Sequence, residues 1–260
     1  METISVERSG GLVTITMDRP AVKNAIDGAM FAELTAAFGE VEREPEVRAM
    51  LLTGANGDFC TGADLGSSSG PAMDPKTPGI VRMRRLNELA LALHAIAKPT
   101  IAKVDGLAVG AGLSLALGCD LVVASDRARF SAIFARRGLS PDLGASWLLP
   151  RVVGLQRAKE LALLGEIIDA PTALDYGIVN KVVPVAQLDA AAGEWAEQLA
   201  NGPTIALGLT KRLLNDALGS TMADALEAEG RAQSINFTTE DTVESVKAFM
   251  TKRQPEYKGR

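Results

Sequence analysis

The stretch KPTIAKVDGLAVGAGLSLALGCDLVVA, residues 98–124, decides the fold. Its two apolar runs, TIAKV at 100–104 and LVVA at 121–124, have the length and composition of fully buried strands. Between them, a Gly-rich turn at 105–112 leads into the apolar run LSLALG, which we predict to be a helix. Buried strands that are joined through helices pair in parallel. The stretch therefore predicts an α/β core with a parallel sheet.

The rest of the chain extends this pattern toward both ends. The run AMLLT (49–53) is a further buried strand, and helices are predicted after the N-cap residue Asp27 and over residues 80–97. Beyond about Leu155, segments with helical spacing of apolar residues dominate. The sequence therefore predicts that a largely helical C-terminal part follows the α/β core.

Composition limits the classes of partner. The net charge of −5 argues against a nucleic-acid partner, since proteins that bind nucleic acids usually have a basic face. No apolar run reaches about 18 residues, and the N-terminal METISVERSGG lacks the pattern of a signal peptide, so we expect no membrane partner. Cys60 and Cys119 form neither a metal-binding spacing nor a disulfide framework, which favours a reducing cytoplasm.

The Gly-rich turn has three interpretations. A dinucleotide-binding fingerprint needs a third glycine, and Leu115 occupies that place after Gly110 and Gly112. Alternatively, the turn presents main-chain N–H groups at a helix N-terminus, which suits a phosphate or a developing oxyanion. The third interpretation is that the small residues only allow close packing between helix and strand. The residues by themselves leave the second and third interpretations equally open.

Ser114 raises the possibility of a hydrolase, because GLSLA approximates the G-x-S-x-G elbow of those enzymes. A serine nucleophile generally needs a base, and the one histidine of the chain, His94, lies beside an apolar helical stripe. A histidine in that setting is more often a structural residue of its helix. A Ser–His hydrolase is therefore a minor alternative.

Asp142 is an acid in apolar surroundings. It follows Pro141 and precedes the apolar run that ends at Leu149. Pro-Asp is ordinary turn chemistry, but a carboxyl that is buried here would have a raised pKa and could exchange a proton near neutral pH. Both interpretations stay open at this point. For Cys60 and Asp64, which follow the strand at 49–53, a buried thiol and a turn cap are the favoured interpretations.

Four segments together resemble the enoyl-CoA hydratase/isomerase family, the crotonases. They are GDFCTGADL (57–65), residues 98–120, ARFSAIFARRGLSPDLGASWLLPRVVG (128–154) and AKELALLGE (158–166). The resemblance implies an α/β fold, a crotonase-like spiral of ββα units over residues 1–195. It also implies a helical C-terminal part, residues 196–260, that builds homotrimers or hexamers as dimers of trimers.

The resemblance further implies an acyl-coenzyme A thioester as ligand. The thioester oxygen would accept hydrogen bonds from the main-chain N–H groups of Ala63 and Ala111, which favours the oxyanion interpretation of the Gly-rich turn. Coenzyme A enters as part of the substrate, and no metal or other cofactor is expected. The loop at 67–79 and the helix that begins near Ile80 should line the acyl group. The coenzyme A moiety is expected to contact Lys23, Ala25, Thr61, Ala63, Asp64 and Leu65.

The chain departs from the hydratases of this family at two positions. Where they have two catalytic glutamates, it has Ser114 and Phe134. Asp142 lies where a subset of members, similar to dienoyl-CoA isomerases and to the ring-epoxide isomerase of phenylacetyl-CoA, has a catalytic aspartate. One carboxylate suits proton shuttling, so the preferred function is an acyl-CoA isomerase that moves a double bond or rearranges a ring. Enoyl-CoA hydration and acyl-CoA binding without catalysis are the alternatives.

Overall fold

The computed structural model describes residues 1–66 and 77–260. In this part of the chain, the strands are β1 (Ile4–Ser9), β2 (Leu12–Met17), β3 (Ala49–Gly54), β4 (Thr100–Val104), β5 (Leu107–Val109), β6 (Leu121–Ser125), β7 (Arg129–Ser131), β8 (Ile168–Asp169) and β9 (Lys181–Val183). The helices are α1 (Gly28–Arg43), α2 (Gly79–Ala95), α3 (Ala111–Gly118), α4 (Ala145–Val153), α5 (Leu155–Leu164), α6 (Ala170–Asp175), α7 (Leu188–Ala200), α8 (Thr204–Ala217), α9 (Met222–Asn236) and α10 (Glu240–Met250).

The main sheet has the order β1-β2-β3-β4-β6-β9. Only the hairpin β1–β2 is antiparallel, and every other pair in this sheet runs parallel. The three buried strands predicted from apolar runs are β3, β4 and β6, and they lie side by side at the centre. The predicted α/β fold with a parallel core is therefore confirmed.

Helices cover both faces of the sheet, which explains why its central strands carry continuous apolar runs. On one face, Leu51, Ile101 and Val123 pack against the small residues of α7. On the other face, alternate residues such as Met50 and Leu52 join the larger core beneath α1, α2 and α3. Helix α1 begins as predicted, because the Asp27 side chain accepts a hydrogen bond from Met30 N at 2.9 Å.

A second, smaller sheet of order β5-β7-β8 lies beside the site described below. Its strands have only two or three residues each. Strand β5 follows β4 directly and pairs in parallel with β7. Cys60 adds a single parallel bridge to Ala108, so the segment after β3 is attached to this sheet as well.

The C-terminal part is helical, as predicted. Helix α7 runs through residue 195, the predicted limit of the core, and packs on the main sheet. The helices that follow expose large apolar side chains, of which Phe249 is 82% and Met222 77% exposed. The domain limits and the trimeric or hexameric assembly stay predictions. None of the helices within the described ranges combines the length and the apolar content needed to cross a membrane.

Candidate functional site

The Gly-rich turn places the N-terminus of α3 against the segment that carries Cys60. Gly110 has a positive φ of 56°, a conformation that suits glycine, and α3 begins at the next residue, Ala111. At Gly112, a Cβ would lie 2.1 Å from the Cys60 carbonyl oxygen, so the two backbones approach too closely for any side chain. The first turn of α3 is therefore held against the segment that follows β3.

The second turn contains Ala63. Ile26 N donates to Gly62 O at 2.8 Å, and Asp64 N donates to Ile26 O at 2.9 Å. Since the peptide between residues 62 and 63 is trans, the N–H of Ala63 points away from the Gly62 carbonyl and from Ile26. No residue of the described chain accepts a hydrogen bond from the N–H of Ala63 or from that of Ala111.

Hydrogen bonds bring these two turns together. Cys60 N donates to Leu107 O at 2.8 Å, and Val109 N donates to Cys60 O at 3.0 Å. A Cβ on Gly62 would lie 3.3 Å from Ala111 N, so residue 62 lies beside the second donor. Both alanines line one cavity of about 280 Å³. Two free N–H groups on residues that line one cavity are candidates to stabilise an oxyanion there.

Asp142 lines the same cavity. Its Oδ1 is buried and has no hydrogen-bond partner among the described residues. Burial raises the pKa of the Asp142 carboxyl above its ordinary value, and a hydrogen bond from its own main-chain N–H opposes the rise only in part. A carboxyl with a raised pKa and a free oxygen can act as a general acid and base.

The main chain around Asp142 is strained. Leu143 has a positive φ of 46°, which is unusual for a residue with a branched side chain. The Asp142 carbonyl accepts hydrogen bonds from Ala145 N at 3.0 Å and from Ser114 Oγ at 3.1 Å. Leu143 is buried in the core, where its side chain offsets some of the cost of this conformation.

The hydrolase interpretation of Ser114 is not supported by the hydrogen bonding. Its hydroxyl is buried and donates to the Asp142 carbonyl at 3.1 Å, with the Gly110 carbonyl oxygen 3.3 Å away. His94 is exposed and makes an edge contact with the Trp147 ring instead, with centroids 5.4 Å apart. Among the residues that the structure describes, none is hydrogen-bonded to Ser114 as the base that a serine nucleophile needs.

Three of the six residues predicted to contact coenzyme A line the cavity, and the others lie near them. Thr61 N donates to Lys23 O at 3.2 Å, and Lys23 is exposed. Thr61, Ala63 and Leu65 line the cavity itself. Ala25 is buried, and its carbonyl accepts a hydrogen bond from Arg19 Nη1. These assignments stay predictions.

Asp64 and Cys60 have structural partners. The Asp64 carboxylate pairs with Arg19 at 3.0 Å and accepts a hydrogen bond from Gly66 N, which fits the predicted turn cap. Cys60 is fully buried, and burial raises the pKa of its thiol to about 12, which fits an unreactive buried residue. Burial also raises the pKa of the second thiol, that of Cys119, to about 12.

Six further side chains that line the cavity did not emerge from the sequence as site residues: Leu107, Val109, Ile133, Arg137, Leu139 and Ile167. Phe134, at the position of the second family glutamate, lines the cavity too and is 5% exposed. For the lining residues after Phe134, the sequence gives one indication of a turn. In the segment ARRGL, a glycine follows two arginines. Most of the loop predicted to line the acyl group, residues 67–76, lies outside the described residues.

Comparison with known proteins points to one family. The family model described as enoyl-CoA hydratase/isomerase matches residues 7–260. The chain is 39% identical to the 1,2-epoxyphenylacetyl-CoA isomerase of Escherichia coli (strain K12), over 100% of both chains. It is 33% identical to the short-chain-enoyl-CoA hydratase of Clostridium acetobutylicum, over 98% of this chain and 97% of the relative. The crystal structure of an enoyl-CoA hydratase from Bacillus anthracis superposes with a TM-score of 0.92 at 31% identity and covers 99% of this chain and 100% of that one.

Proposed function

Because the chain belongs to the enoyl-CoA hydratase/isomerase family, we propose that it isomerises an acyl-CoA thioester, with Asp142 as the acid and base. The observation that carries this proposal is the composition of the cavity. Asp142 is the only carboxylic acid among the described residues that line it, and its Oδ1 has no hydrogen-bond partner among them. Ala63 and Ala111, whose N–H groups have no acceptor in the described chain, line the same cavity. One carboxylate and two amide donors are the groups that a proton shuttle requires.

The proposed reaction moves a proton and leaves the composition of the substrate unchanged. The Asp142 carboxylate removes a proton from C2 of a 3-enoyl thioester, and the electron pair of that bond moves onto the thioester oxygen as a dienolate forms. The N–H groups of Ala63 and Ala111 donate to this oxygen and stabilise its charge. Asp142 then returns the proton to C4, so that the 2-enoyl thioester forms and the carboxylate is regenerated.

A second candidate is enoyl-CoA hydration, which is favoured by the similarity to the Clostridium acetobutylicum hydratase. Hydration requires a group that orients and activates a water in addition to a proton donor. The described lining offers Phe134 at the position of the second family glutamate, and a phenyl ring can neither orient nor deprotonate water. Isomerisation is therefore the better supported of the two.

The test is an assay of wild type and Asp142→Asn on a panel of 2-enoyl, 3-enoyl and 1,2-epoxyphenylacetyl thioesters of coenzyme A. We expect wild type to isomerise at least one of them, and Asp142→Asn to lose at least about 100-fold in kcat, the lower range of general acid–base catalysis. Binding of the thioester, measured by calorimetry, should change little, because the asparagine keeps the size of the side chain. The matched control is Asp175→Asn, which alters an exposed aspartate of α6.

Each other outcome of the panel has a definite meaning. Water addition without isomerisation supports the hydratase candidate. Binding of the thioesters without turnover of any of them supports a non-catalytic acyl-CoA-binding protein. Near-normal isomerisation by Asp142→Asn would contradict the role of Asp142.

A further inference from the structure

Within the described residues, no hydrogen bond to the buried Oδ1 atom holds the Asp142 carboxylate in place. Oδ1 has no hydrogen-bond partner in the described part of the chain, so the position of the carboxylate depends on the main chain that carries it. That main chain adopts the unusual conformation at Leu143. A catalytic group must stay within a fraction of an ångström of its working position. Some contact must therefore fix this turn relative to the two amide donors.

The hydroxyl of Ser114 makes such a contact. It donates to the Asp142 carbonyl at 3.1 Å and lies 3.3 Å from the Gly110 carbonyl. Gly110 immediately precedes the amide donor Ala111, and Ser114 N also donates to Gly110 O at 3.1 Å. Among the described residues, this hydroxyl makes the only hydrogen bond that joins residues 140–144 to an element remote in sequence.

We propose that Ser114 is a positioning residue, which holds the Asp142 carboxylate at a fixed place relative to the amide of Ala111 by tying the two turns together. The proposal rests on the proposed function, since it assigns Ser114 a part in the work of Asp142. Ser114 acts through the Asp142 main chain, and its own hydroxyl takes no part in the proton transfer. The side chain found at the position of the first family glutamate thus supports the one carboxylic acid among the described residues that line the cavity.

The local hydrogen bonding makes this role testable, because removal of the hydroxyl leaves no buried carbonyl without a donor. In Ser114→Ala, the Asp142 carbonyl keeps Ala145 N, and the Gly110 carbonyl keeps the main-chain N–H of residue 114. A substitution that leaves no orphaned partner costs little stability. We therefore expect the variant to fold, and its effect on activity can be measured directly.

The matched control is Thr53→Val. The Thr53 hydroxyl is buried in β3 and donates to the Lys103 carbonyl at 3.0 Å, so the variant also removes one buried hydroxyl that donates to a carbonyl. Thr53 does not line the cavity. A loss of activity that reflects only general destabilisation should appear in both variants to the same degree.

Two reactions are measured for each variant. The first is isomerisation of the substrate found with the panel. The second is exchange of the C2 proton of butyryl-CoA in deuterium oxide, which requires the carboxylate and the amides but no double bond. Ser114→Ala should lose about ten-fold in kcat for both reactions with little change in KM, as expected for a displaced catalytic group. Ser114→Thr, which restores a hydroxyl, should recover part of the loss.

Two readouts separate positioning from a structural role. The acid limb of the pH profile of kcat/KM should move to lower pH in Ser114→Ala, because a released carboxyl gains water and its pKa falls toward the ordinary value. In the Asp142→Asn background, Ser114→Ala should cause no further loss, because the two residues act as one unit. Thr53→Val should leave the pH profile in place.

The outcomes are separable from those of the proposed function. If Ser114→Ala keeps its exchange rate and pH profile, or declines only as Thr53→Val does, the proposal for Ser114 is overturned and the function is untouched. If wild type exchanges the C2 proton but isomerises nothing on the panel, isomerisation is overturned, and the exchange data still decide the role of Ser114. If wild type does neither, both proposals are overturned.

Discussion

The closeness of the two amide donors depends on Gly112, and its replacement by alanine gives the sharpest test of the site. A Cβ at this position would lie 2.1 Å from the Cys60 carbonyl oxygen and 2.8 Å from the Cys60 carbonyl carbon, both of them main-chain atoms. Ordinary contact begins near 3.4 Å, so the N-terminus of α3 must move away from Cys60 by about 1.3 Å. The amide of Ala111 belongs to α3, and Ala63 follows Cys60 by three residues, so the two donors should separate.

The expected loss follows from that displacement. A misplacement of about 1 Å at a catalytic site costs about 100-fold in rate, and removal of one oxyanion donor costs about 100- to 1,000-fold. Gly112→Ala should therefore lower kcat for C2-proton exchange and isomerisation by at least about 100-fold. The effect on KM should be smaller, because the donors act mainly on the charge that develops during the reaction.

The assay compares Gly112→Ala with Gly193→Ala, an equivalent replacement in α7. A Cβ on Gly193 would meet no heavy atom within 4 Å other than those of its own helix backbone, so alanine should fit there and stabilise the helix slightly. Activity is expressed per folded molecule, with thermal unfolding followed by circular dichroism. If folded Gly112→Ala keeps kcat within about three-fold of wild type, the argument that this contact sets the spacing of the donors is refuted.

Two further predictions concern stability and assembly. Burial raises the pKa of Asp142 in the folded state. Between the ordinary carboxyl pKa of about 3.9 and the raised value, the folded state therefore binds more protons than the unfolded state. The free energy of unfolding consequently falls as the pH rises through that range. Asp142→Asn should therefore have a higher Tm than wild type above the raised pKa, and this gain in Tm should disappear below about pH 4. An equal Tm of the two proteins at neutral pH would contradict a free-energy cost of burying the Asp142 carboxylate. Light scattering should find wild type as three or six copies, and Phe249→Glu, which puts a charge on the exposed apolar side of α10, should reduce the mass of the particle. An unchanged mass would place the subunit contact elsewhere.

The central strands could be predicted from the sequence because each is a buried apolar run of about five residues, a length at which composition is informative. The predicted helix over residues 80–97 is observed as α2, which ends two residues earlier, at Ala95. Strands β5, β7 and β8 were not predicted, since two or three residues contain no periodicity. Their pairing depends on contacts between remote segments, which a single sequence does not reveal.

The site was predictable to a lesser extent than the sheet. Asp142 could be identified from the sequence because it is an acid among apolar neighbours. The side chains of Ala63 and Ala111 have no functional group, so these residues were selected only through the resemblance to the family. The contribution of the Ser114 hydroxyl could not be predicted, because its acceptor lies 28 residues away. A main-chain acceptor carries no side-chain signature, so contacts of this kind become visible only in three dimensions.

The burial of both cysteines has a practical consequence for the enzymology. With thiol pKa values raised to about 12, neither Cys60 nor Cys119 forms appreciable thiolate at neutral pH, and neither side chain is accessible. A chromogenic disulfide reagent added to native protein should therefore report only coenzyme A that has been set free. Hydrolysis of the thioester, a side reaction that would compete with the proposed isomerisation, can thus be followed continuously with no background from the protein.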